Sequence, residues 1–228
     1  MITIIGVGHV FDIRDRVKSE ILRRSPAVVA VELDRNRFEA LKSQQSSGDA
    51  PILYRAMAFI QKRIAGEFDV APGEEMLAAV EAAQEIGSGV AFIDLPADTV
   101  FRKMLSSMSI KEKIYFAFGM LAGLFASKEK IEKELDRYQE QEEDYMEVLA
   151  QSMPSVSRVL IDERNDHMSE GIKHLEEKYG SVVAVVGDGH IKGIYDNLSS
   201  RDVEVIRLKE IQTTAEGDFT VSYSLKNQ

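Results

Sequence analysis

The sequence predicts an α/β fold built on a parallel sheet, with a large helical insert. Short runs rich in valine and isoleucine end at Gly, Glu or Asp, as buried parallel strands do. Helical patterns separate the first three runs, and a long stretch without any strand signal precedes the fourth. The predicted strands are Ile2–Ile5, Ala27–Val31, Val90–Ile93, Val182–Val186 and, more weakly, Val203–Ile206.

Four helical segments are predicted between the first three strands. Pro26 ends the first helix because proline cannot continue the hydrogen-bond ladder, and Gly87 ends the last because glycine favours the end of a helix. The segments are Asp15–Arg24, Arg35–Ser43, Pro51–Ala65 and Glu74–Ile86.

The stretch from Asp94 to Ser181 is too long for a single crossover between strands. We therefore predict one domain over residues 1–228, in which residues 96–180 form a mainly helical insert. Its apolar segment Ile114–Ala126 is too short to span a bilayer of roughly 30 Å. We expect that segment to be buried in the insert or in a homodimer. A further helix starts at Pro154 and ends at Gly180.

The amino-acid composition limits the partners, nucleophiles and metal ligands that the protein can use. The 228 residues include 28 Lys and Arg, 38 Asp and Glu, 4 His and no Cys, which gives a net charge of −10. Nucleic acid is a poor partner for so acidic a chain. Without cysteine there are no disulfides, thiolate ligands or cysteine nucleophiles. A metal site would have to use histidine, carboxylates and water.

Two matching motifs follow the first and fourth strands, Gly6-Val7-Gly8-His9 and Gly187-Asp188-Gly189-His190. Ligands of open parallel sheets bind beyond the carboxyl ends of the strands, where these motifs lie. Glycine lets the backbone approach a ligand closely, which makes Gly6, Gly8, Gly187 and Gly189 candidate binding residues. The histidines supply a neutral nitrogen or a titratable proton.

Glu32 and Asp94 follow the second and third strands. Glu32 is a metal ligand or general base in one interpretation, and a strand-end carboxylate that caps the next helix in another. Arg35 or Arg37 clamps an anionic group or pairs with Glu32. The charged cluster Asp162–Asn165 would ordinarily be a solvated helix face.

Five motifs in this order resemble the TraB/PrgY family, called pheromone-shutdown proteins, which is related to the Tiki proteases, the GumN proteins and the erythromycin-esterase-like superfamily. The resemblance extends from Gly6 to about Leu208. The motifs are residues 6–10 (GVGHV), 31–37 (VELDRNR), 94–99 (DLPADT), 163–165 (ERN) and 187–194 (GDGHIKGI).

The resemblance implies a fold of the erythromycin-esterase/ChaN type and a divalent metal, manganese or cobalt. It implies His9, Glu32 and His190 as metal ligands, and it selects Arg37 over Arg35. The chain departs from the family pattern at Leu95, where an arginine is common, and at Asn165, where an aspartate is usual. Many microbial members carry C-terminal membrane helices that are absent from this sequence. The catalytic residues that it implies are Glu32, Arg37, Glu163 and Arg164.

Three functions follow as hypotheses. The first is a metal-dependent hydrolase that acts on a peptide or related amide. The second is a non-catalytic protein that sequesters a peptide or small ligand in the same pocket. The third is dinucleotide binding at Gly6-Val7-Gly8. It is disfavoured because Phe11 occupies the position of the third glycine and His9 intrudes on the phosphate-binding turn. The expected location is the cytoplasm, or the soluble part of a membrane-anchored protein.

Overall fold

The computed structural model describes residues 1–8, 13–43, 73–124, 129, 133, 137 and 142–213. The predicted helix Pro51–Ala65 and the side chain of His9 lie outside this part of the chain. In chain order the elements are β1 Ile2–Val7, α1 Arg14–Arg24, β2 Val28–Val31, α2 Arg35–Ser43, α3 Glu74–Glu85, β3 Gly89–Phe92, α4 Ala97–Ser107, α5 Ile110–Leu124, α6 Glu142–Ser152, α7 Pro154–Ser157, a π-helical turn Arg158–Asp162, α8 Glu163–Tyr179, β4 Val182–Gly187, a 3-10 turn Asp188–His190, α9 Ile191–Asn197, β5 Val203–Ile206 and α10 Leu208–Thr213.

The five strands form one parallel sheet in the order β3-β2-β4-β1-β5. Val182 is in register with both Ile2 and Val28, so β4 lies between the first two strands. The α/β fold class predicted from the sequence is confirmed, and so are all five strands. The sheet brings the carboxyl ends of β1, β2 and β4 side by side at its centre.

Each face of the sheet is covered by helices, because successive strand residues point to opposite sides. On one face, Ile5 and Val31 pack with α1 and α3 through residues such as Val17 and Met76. On the other face, Ile4 and Ala30 belong to a core that includes residues of α8 and α9. The runs are apolar throughout because both faces are buried.

A third apolar cluster lies within the helices of the insert. It joins Phe101 and Met104 of α4 to Val156 and Val159. The division of the chain into a core and an insert stays a prediction.

The apolar helix α5 is largely exposed. Phe116 packs against the third cluster, but Ile114, Phe118 and Leu121 are 51%, 67% and 54% exposed. Burial of these side chains within the chain was therefore a wrong expectation, while pairing with a second copy stays a prediction. None of the helices in the described part of the chain is both long and apolar enough to cross a membrane.

The helix predicted from Pro154 to Gly180 has a break in its hydrogen-bond pattern. It starts at Pro154 and is capped by Gly180 with φ 85°, as expected. Between Arg158 and Asp162, however, it forms a π-helical turn, in which the N–H of Glu163 bonds to the carbonyl of Arg158. Such a turn contains one extra residue, so the residues after it are rotated about the helix axis relative to a continuous α-helix.

Candidate functional site

Polar side chains collect where the strands of the sheet end. Glu32 directly follows β2, and its N–H donates to the carbonyl of Val185 in β4 at 3.0 Å. His190 lies at the end of the short turn after β4, and Asp94 follows β3. Since β3, β2 and β4 are consecutive neighbours in the sheet, all three residues come to the same edge.

The carboxylate of Glu32 is buried, with only 6% of the residue exposed. Its Oε1 accepts a hydrogen bond from the guanidinium of Arg164. Its Oε2 accepts one from the backbone N–H of Gly187 at 2.6 Å. The first bond compensates the charge of Glu32, and the second ties Glu32 to the start of the second glycine motif.

Arg164 also binds the carboxylate of Asp94 with two parallel bonds. Its Nε donates to Oδ1 at 2.9 Å, and its Nη2 donates to Oδ2 at 2.9 Å. Asp94 is 8% exposed. This two-point geometry fits a planar guanidinium and not an ammonium group. Arg164 therefore bridges the ends of β2 and β3.

The position of Arg164 depends on the π-helical turn. Arg164 follows that turn by two residues, and its Nη1 donates to the carbonyl of Leu160 within the turn at 3.2 Å. Burial alone would lower the pKa of Arg164, but the charges of Glu32 and Asp94 and their hydrogen bonds outweigh it and raise the pKa above its ordinary value. Arg164 therefore stays positively charged while it binds both carboxylates.

The imidazole of His190 lies between Glu32 and Asn165. Its Nε2 is 3.5 Å from Oε1 of Glu32, and its Nδ1 is 2.7 Å from Oδ1 of Asn165. His190 and Asn165 are both 5% exposed. Helix α8 therefore supplies two consecutive residues to the site, since Arg164 contacts Glu32 and Asn165 contacts His190.

Three glycines make room for polar side chains of this region. A Cβ on Gly6 would collide with the carboxylate of Asp188. On Gly187 it would come within 3.3 Å of Oε2 of Glu32, and on Gly193 within 2.9 Å of Cγ of Asn165. Gly6, Gly187 and Gly193 therefore have a packing role, while close approach of a ligand to the glycines stays a prediction.

Asp188, inside the second glycine motif, has a structural role. Its Oδ2 accepts a bond from Nη2 of Arg207 at 2.7 Å, and its Oδ1 accepts one from the N–H of Leu208 at 2.8 Å. Asp188 thereby fixes the end of β5 and the start of α10 relative to β4. It occupies the space left by Gly6 in the first motif, which links the two motifs directly.

The other predicted site residues lie around this cluster. Arg37 is at the start of α2, 33% exposed in its side chain, with Nη1 3.5 Å from Oδ2 of Asp94. The sequence offered Arg37 as a partner for Glu32, whereas the structure pairs Glu32 with Arg164. Glu163 forms an ion pair with Lys103 of α4 at 2.7 Å. Gly8 directly precedes His9, which lies outside the described residues, and Gly189 directly precedes His190.

His9 is outside the described residues, so the structure gives no position for this predicted ligand. Within the described ranges, no group of three or more His, Asp or Glu side chains is arranged to hold a metal. Glu32 and His190 are the two predicted ligands that the structure brings together.

Asp94 and Asn165 belong to this cluster, although neither is among the catalytic, binding or metal-ligating residues predicted from the sequence. Asp94 directly follows a predicted strand, which was the available signal for its place at the edge of the sheet. Asn165 lies in one of the five motifs that carry the family resemblance, but the charged helical segment around it was expected to face solvent. Asp34 follows a strand too, but its Oδ1 accepts the N–H groups of Asn36 and Arg37 at 2.8 and 3.1 Å, so it caps α2.

Comparison with known proteins agrees with the resemblance seen in the motifs. The model of the TraB/PrgY/gumN family matches residues 1–207. An uncharacterized protein of Methanocaldococcus jannaschii is 29% identical over an alignment of 228 positions, which covers 92% of this chain. The matched region is 57% of the length of that relative, so the chain spans little more than half of it.

Proposed function

The chain belongs to the TraB/PrgY/gumN family, and from this premise and the geometry of the sheet edge we propose that it is a metal-dependent hydrolase of a peptide or related amide. One observation carries the proposal. The buried carboxylate of Glu32 and the buried Nε2 of His190 lie 3.5 Å apart at the ends of neighbouring strands. Buried ionisable groups that converge in this way are more typical of functional sites than of cores.

The donors at this place suit a divalent cation. Imidazole nitrogen and carboxylate oxygen together bind manganese, cobalt and zinc. The bonds from Arg164 and Gly187 do not exhaust Glu32, because a carboxylate offers about four lone-pair positions. Glu32 and His190 would hold the ion, with His9 as the third ligand that the resemblance implies. A cation held there would polarise a substrate carbonyl and lower the pKa of water at the site.

Arg164 orients Glu32 in this proposal. Its Nε, Nη1 and Nη2 donate to Asp94, Leu160 and Glu32, which uses four of its five N–H groups. Few donors are left for a substrate, so the sequence-based role of Arg164 at a developing oxyanion is less well supported than a positioning role. Fixing a buried carboxylate in one orientation favours catalysis, since it lowers the cost of reorganisation.

Arg37 is the better candidate for the charge that develops on the substrate. Its side chain is 33% exposed, and the contact to Asp94 is a long one, at 3.5 Å. A partly exposed guanidinium beside a buried anionic pair can turn one face to a ligand. Glu163 stays a predicted site residue, whose described ion-pair partners are Lys103 and, at 3.9 Å, Arg158.

The test is metal binding and turnover in the purified chain. We expect Mn²⁺ or Co²⁺ to bind at one site per chain by titration calorimetry and to stimulate cleavage of a mixed peptide library, followed by mass spectrometry. His190→Gln should abolish both, whereas His174→Gln is the matched control, because His174 is exposed and lies nine residues after Asn165 on α8. Failure of both metals to bind the intact protein would refute the proposal.

The sequestering alternative predicts a different result in the same assay. A protein that retains peptides without converting them, with or without metal, would support sequestration and would remove the hydrolase proposal. Loss of retention in Arg37→Ala would then place the ligand at the same edge of the sheet.

A further inference from the structure

Helix α5 has two sides of different kind. Phe116 packs into the apolar cluster of the insert, and Phe118 lies about half a turn away on the opposite side. Four large side chains on that opposite side are between 51% and 67% exposed, namely Ile114, Tyr115, Phe118 and Leu121. We call these four residues the apolar face of α5. Ile114, Phe118 and Leu121 are spaced by four and three residues, which places them on one stripe of the helix.

The apolar face of α5 is large for a surface without charge. No charged residue occurs from Ile114 to Leu124. A whole aromatic side chain has about 150–250 Å² of surface, so the four exposed fractions amount to roughly 500 Å² per chain. Patches of this size on a protein surface are often binding sites. Two such faces in contact would remove about 1,000 Å² from water, which reaches the size of a specific interface.

We propose that the protein is a homodimer in which α5 pairs with α5 of a second copy in antiparallel orientation, with the twofold axis at Phe118. A twofold axis makes one patch complementary to itself, as in most homodimers. Ile114 then lies opposite Ala122 of the second copy, and Tyr115 lies opposite Leu121. Spacings of four and three residues are those by which paired helices contact each other. The inference does not depend on the proposed function, because none of these residues lies at the edge of the sheet.

Lys111 favours the antiparallel orientation. It is exposed and precedes Phe118 by seven residues, which places it on the same side of the helix. In a parallel pair the two Lys111 ammonium groups would meet, and like charges at an interface are strongly unfavourable. In an antiparallel pair centred on Phe118 the two Lys111 residues are about 20 Å apart along the helix axis, given a rise of about 1.5 Å per residue.

A membrane surface is a poorer occupant of this face. Helices that lie on membranes carry lysine and arginine along their polar side. The side of α5 opposite the apolar face instead contains Glu112, which is 4% exposed, and Phe116, which packs in the insert. The chain also has a net charge of −10, so anionic headgroups would repel it. A second copy presents an uncharged apolar face, as homodimer interfaces commonly do.

Sedimentation velocity of the intact protein at micromolar concentration tests the proposal. We expect a species of twice the 25.5 kDa of one chain. Phe118→Glu should give the mass of one chain with an unchanged far-UV circular dichroism spectrum, because Phe118 is mostly exposed. Tyr179→Glu is the matched control, since Tyr179 is also exposed but lies at the far end of α8, and it should stay dimeric. A monomeric unaltered protein, or a dimeric and folded Phe118→Glu, would overturn the proposal.

Cysteine cross-linking tests the orientation of the two helices. The chain has no cysteine, so a single introduced thiol can form a disulfide only with its own copy. A disulfide requires two Cα atoms about 4.4–6.8 Å apart. Phe118→Cys should cross-link on mild oxidation, whereas Lys111→Cys should not. Cross-linking of Lys111→Cys alone would indicate a parallel pair, and a dimer in which neither variant cross-links would place the interface elsewhere. Either result would overturn the proposal.

Vesicles test the competing occupant directly. The unaltered protein is mixed with phosphatidylcholine vesicles and separated by flotation, and we expect it to stay unbound as a dimer. Flotation of the unaltered protein that is lost in Phe118→Glu would assign the apolar face of α5 to a membrane surface and would overturn the dimer.

Discussion

Arg164 binds Asp94 through two hydrogen bonds of 2.9 Å, from Nε to Oδ1 and from Nη2 to Oδ2. The same Nη2 also donates to Oε1 of Glu32. One guanidinium therefore compensates two buried carboxylates from different strands. Because Asp94 alone can hold Arg164 in place, Glu32 can lose its charge without leaving a buried cation unpaired.

Removal of Arg164 should be costly. In Arg164→Met both Glu32 and Asp94 lose this cation, and breaking a buried ion pair by removing one partner typically costs about 3–5 kcal/mol. Urea denaturation should show a fall of this size in the free energy of unfolding. Arg164→Lys should lose part of it, since an ammonium cannot form the two parallel bonds to Asp94.

Arg102→Met provides the matched control. Arg102 pairs with Asp98 at 2.8 Å on α4, and both of these side chains are exposed, 69% and 60%. Exposed pairs contribute about 0–1 kcal/mol. Similar losses in Arg102→Met and Arg164→Met would show that the buried cluster contributes no more to stability than a surface pair.

Glu32→Gln should separate stability from ligand binding. We expect the free energy of unfolding to fall by about 1–3 kcal/mol, because the amide nitrogen of glutamine must face either Arg164 or the N–H of Gly187, which leaves one buried donor without an acceptor. Affinity for Mn²⁺ or Co²⁺ should collapse, since a ligand charge is lost. Thermal melting and metal titration are run on the same samples, with Asp98→Asn as the surface control. Clear destabilisation with unchanged metal affinity would make Glu32 a structural residue only.

The sequence predicted the sheet well because its strands are buried on both faces. Runs such as Val182–Val186 are apolar at every position, and that pattern needs no knowledge of distant partners. The strand order then brings Glu32 and His190 to neighbouring strand ends, where a general rule for open sheets places ligands. This part of the site followed from local pattern and topology.

The partner of Glu32 could not be derived in the same way. Arg37 is near Glu32 in sequence, whereas Arg164 is 132 positions away along the chain. The π-helical turn Arg158–Asp162 also shifts the phase of the helix that follows. A helical wheel drawn from Pro154 therefore misplaces Arg164 and Asn165 by about 100°. Their inward direction is set by tertiary packing that hydrophobic periodicity does not record.

Glu112 should make the free energy of unfolding depend on pH in the acidic range. It is buried between the starts of α5 and α7, where its Oε2 and Oε1 accept the N–H groups of Ser109 and Ser155, each at 2.7 Å. Burial would raise the pKa of Glu112, but these hydrogen bonds outweigh it and lower the pKa from 4.5 to about 2. Its ionised form is therefore favoured in the folded protein.

The sign of the effect follows from that lowered pKa. The contribution of Glu112 is complete above pH 4.5, the value for the unfolded chain, and is lost as the pH falls through about 2. The difference in unfolding free energy between the unaltered protein and Glu112→Gln should thus shrink over this interval. Urea denaturation at a series of pH values measures it, and Glu147→Gln, an exposed carboxylate of α6, should stay within about 0.5 kcal/mol of the unaltered protein. A difference that is constant with pH would contradict the account.

Gly193→Ala and Gly119→Ala are a matched pair for the packing around Asn165. Both glycines lie within helices, where alanine is normally favoured by about 0.5–1 kcal/mol. A Cβ at Gly119 meets no atom within 4 Å, so Gly119→Ala should stabilise the protein by that amount.

A Cβ at Gly193 would lie 2.9 Å from Cγ of Asn165 and closer still to its amide nitrogen, so Gly193→Ala must displace the amide from His190. We expect Gly193→Ala to lower the free energy of unfolding by about 1–3 kcal/mol, as overpacking does, and to weaken metal binding together with it. Thermal melting and Zn²⁺ titration of the two variants measure both effects. Equal stabilisation by the two substitutions would show that the contact between Gly193 and Asn165 is loose, and that Asn165 is not held against His190 by α9.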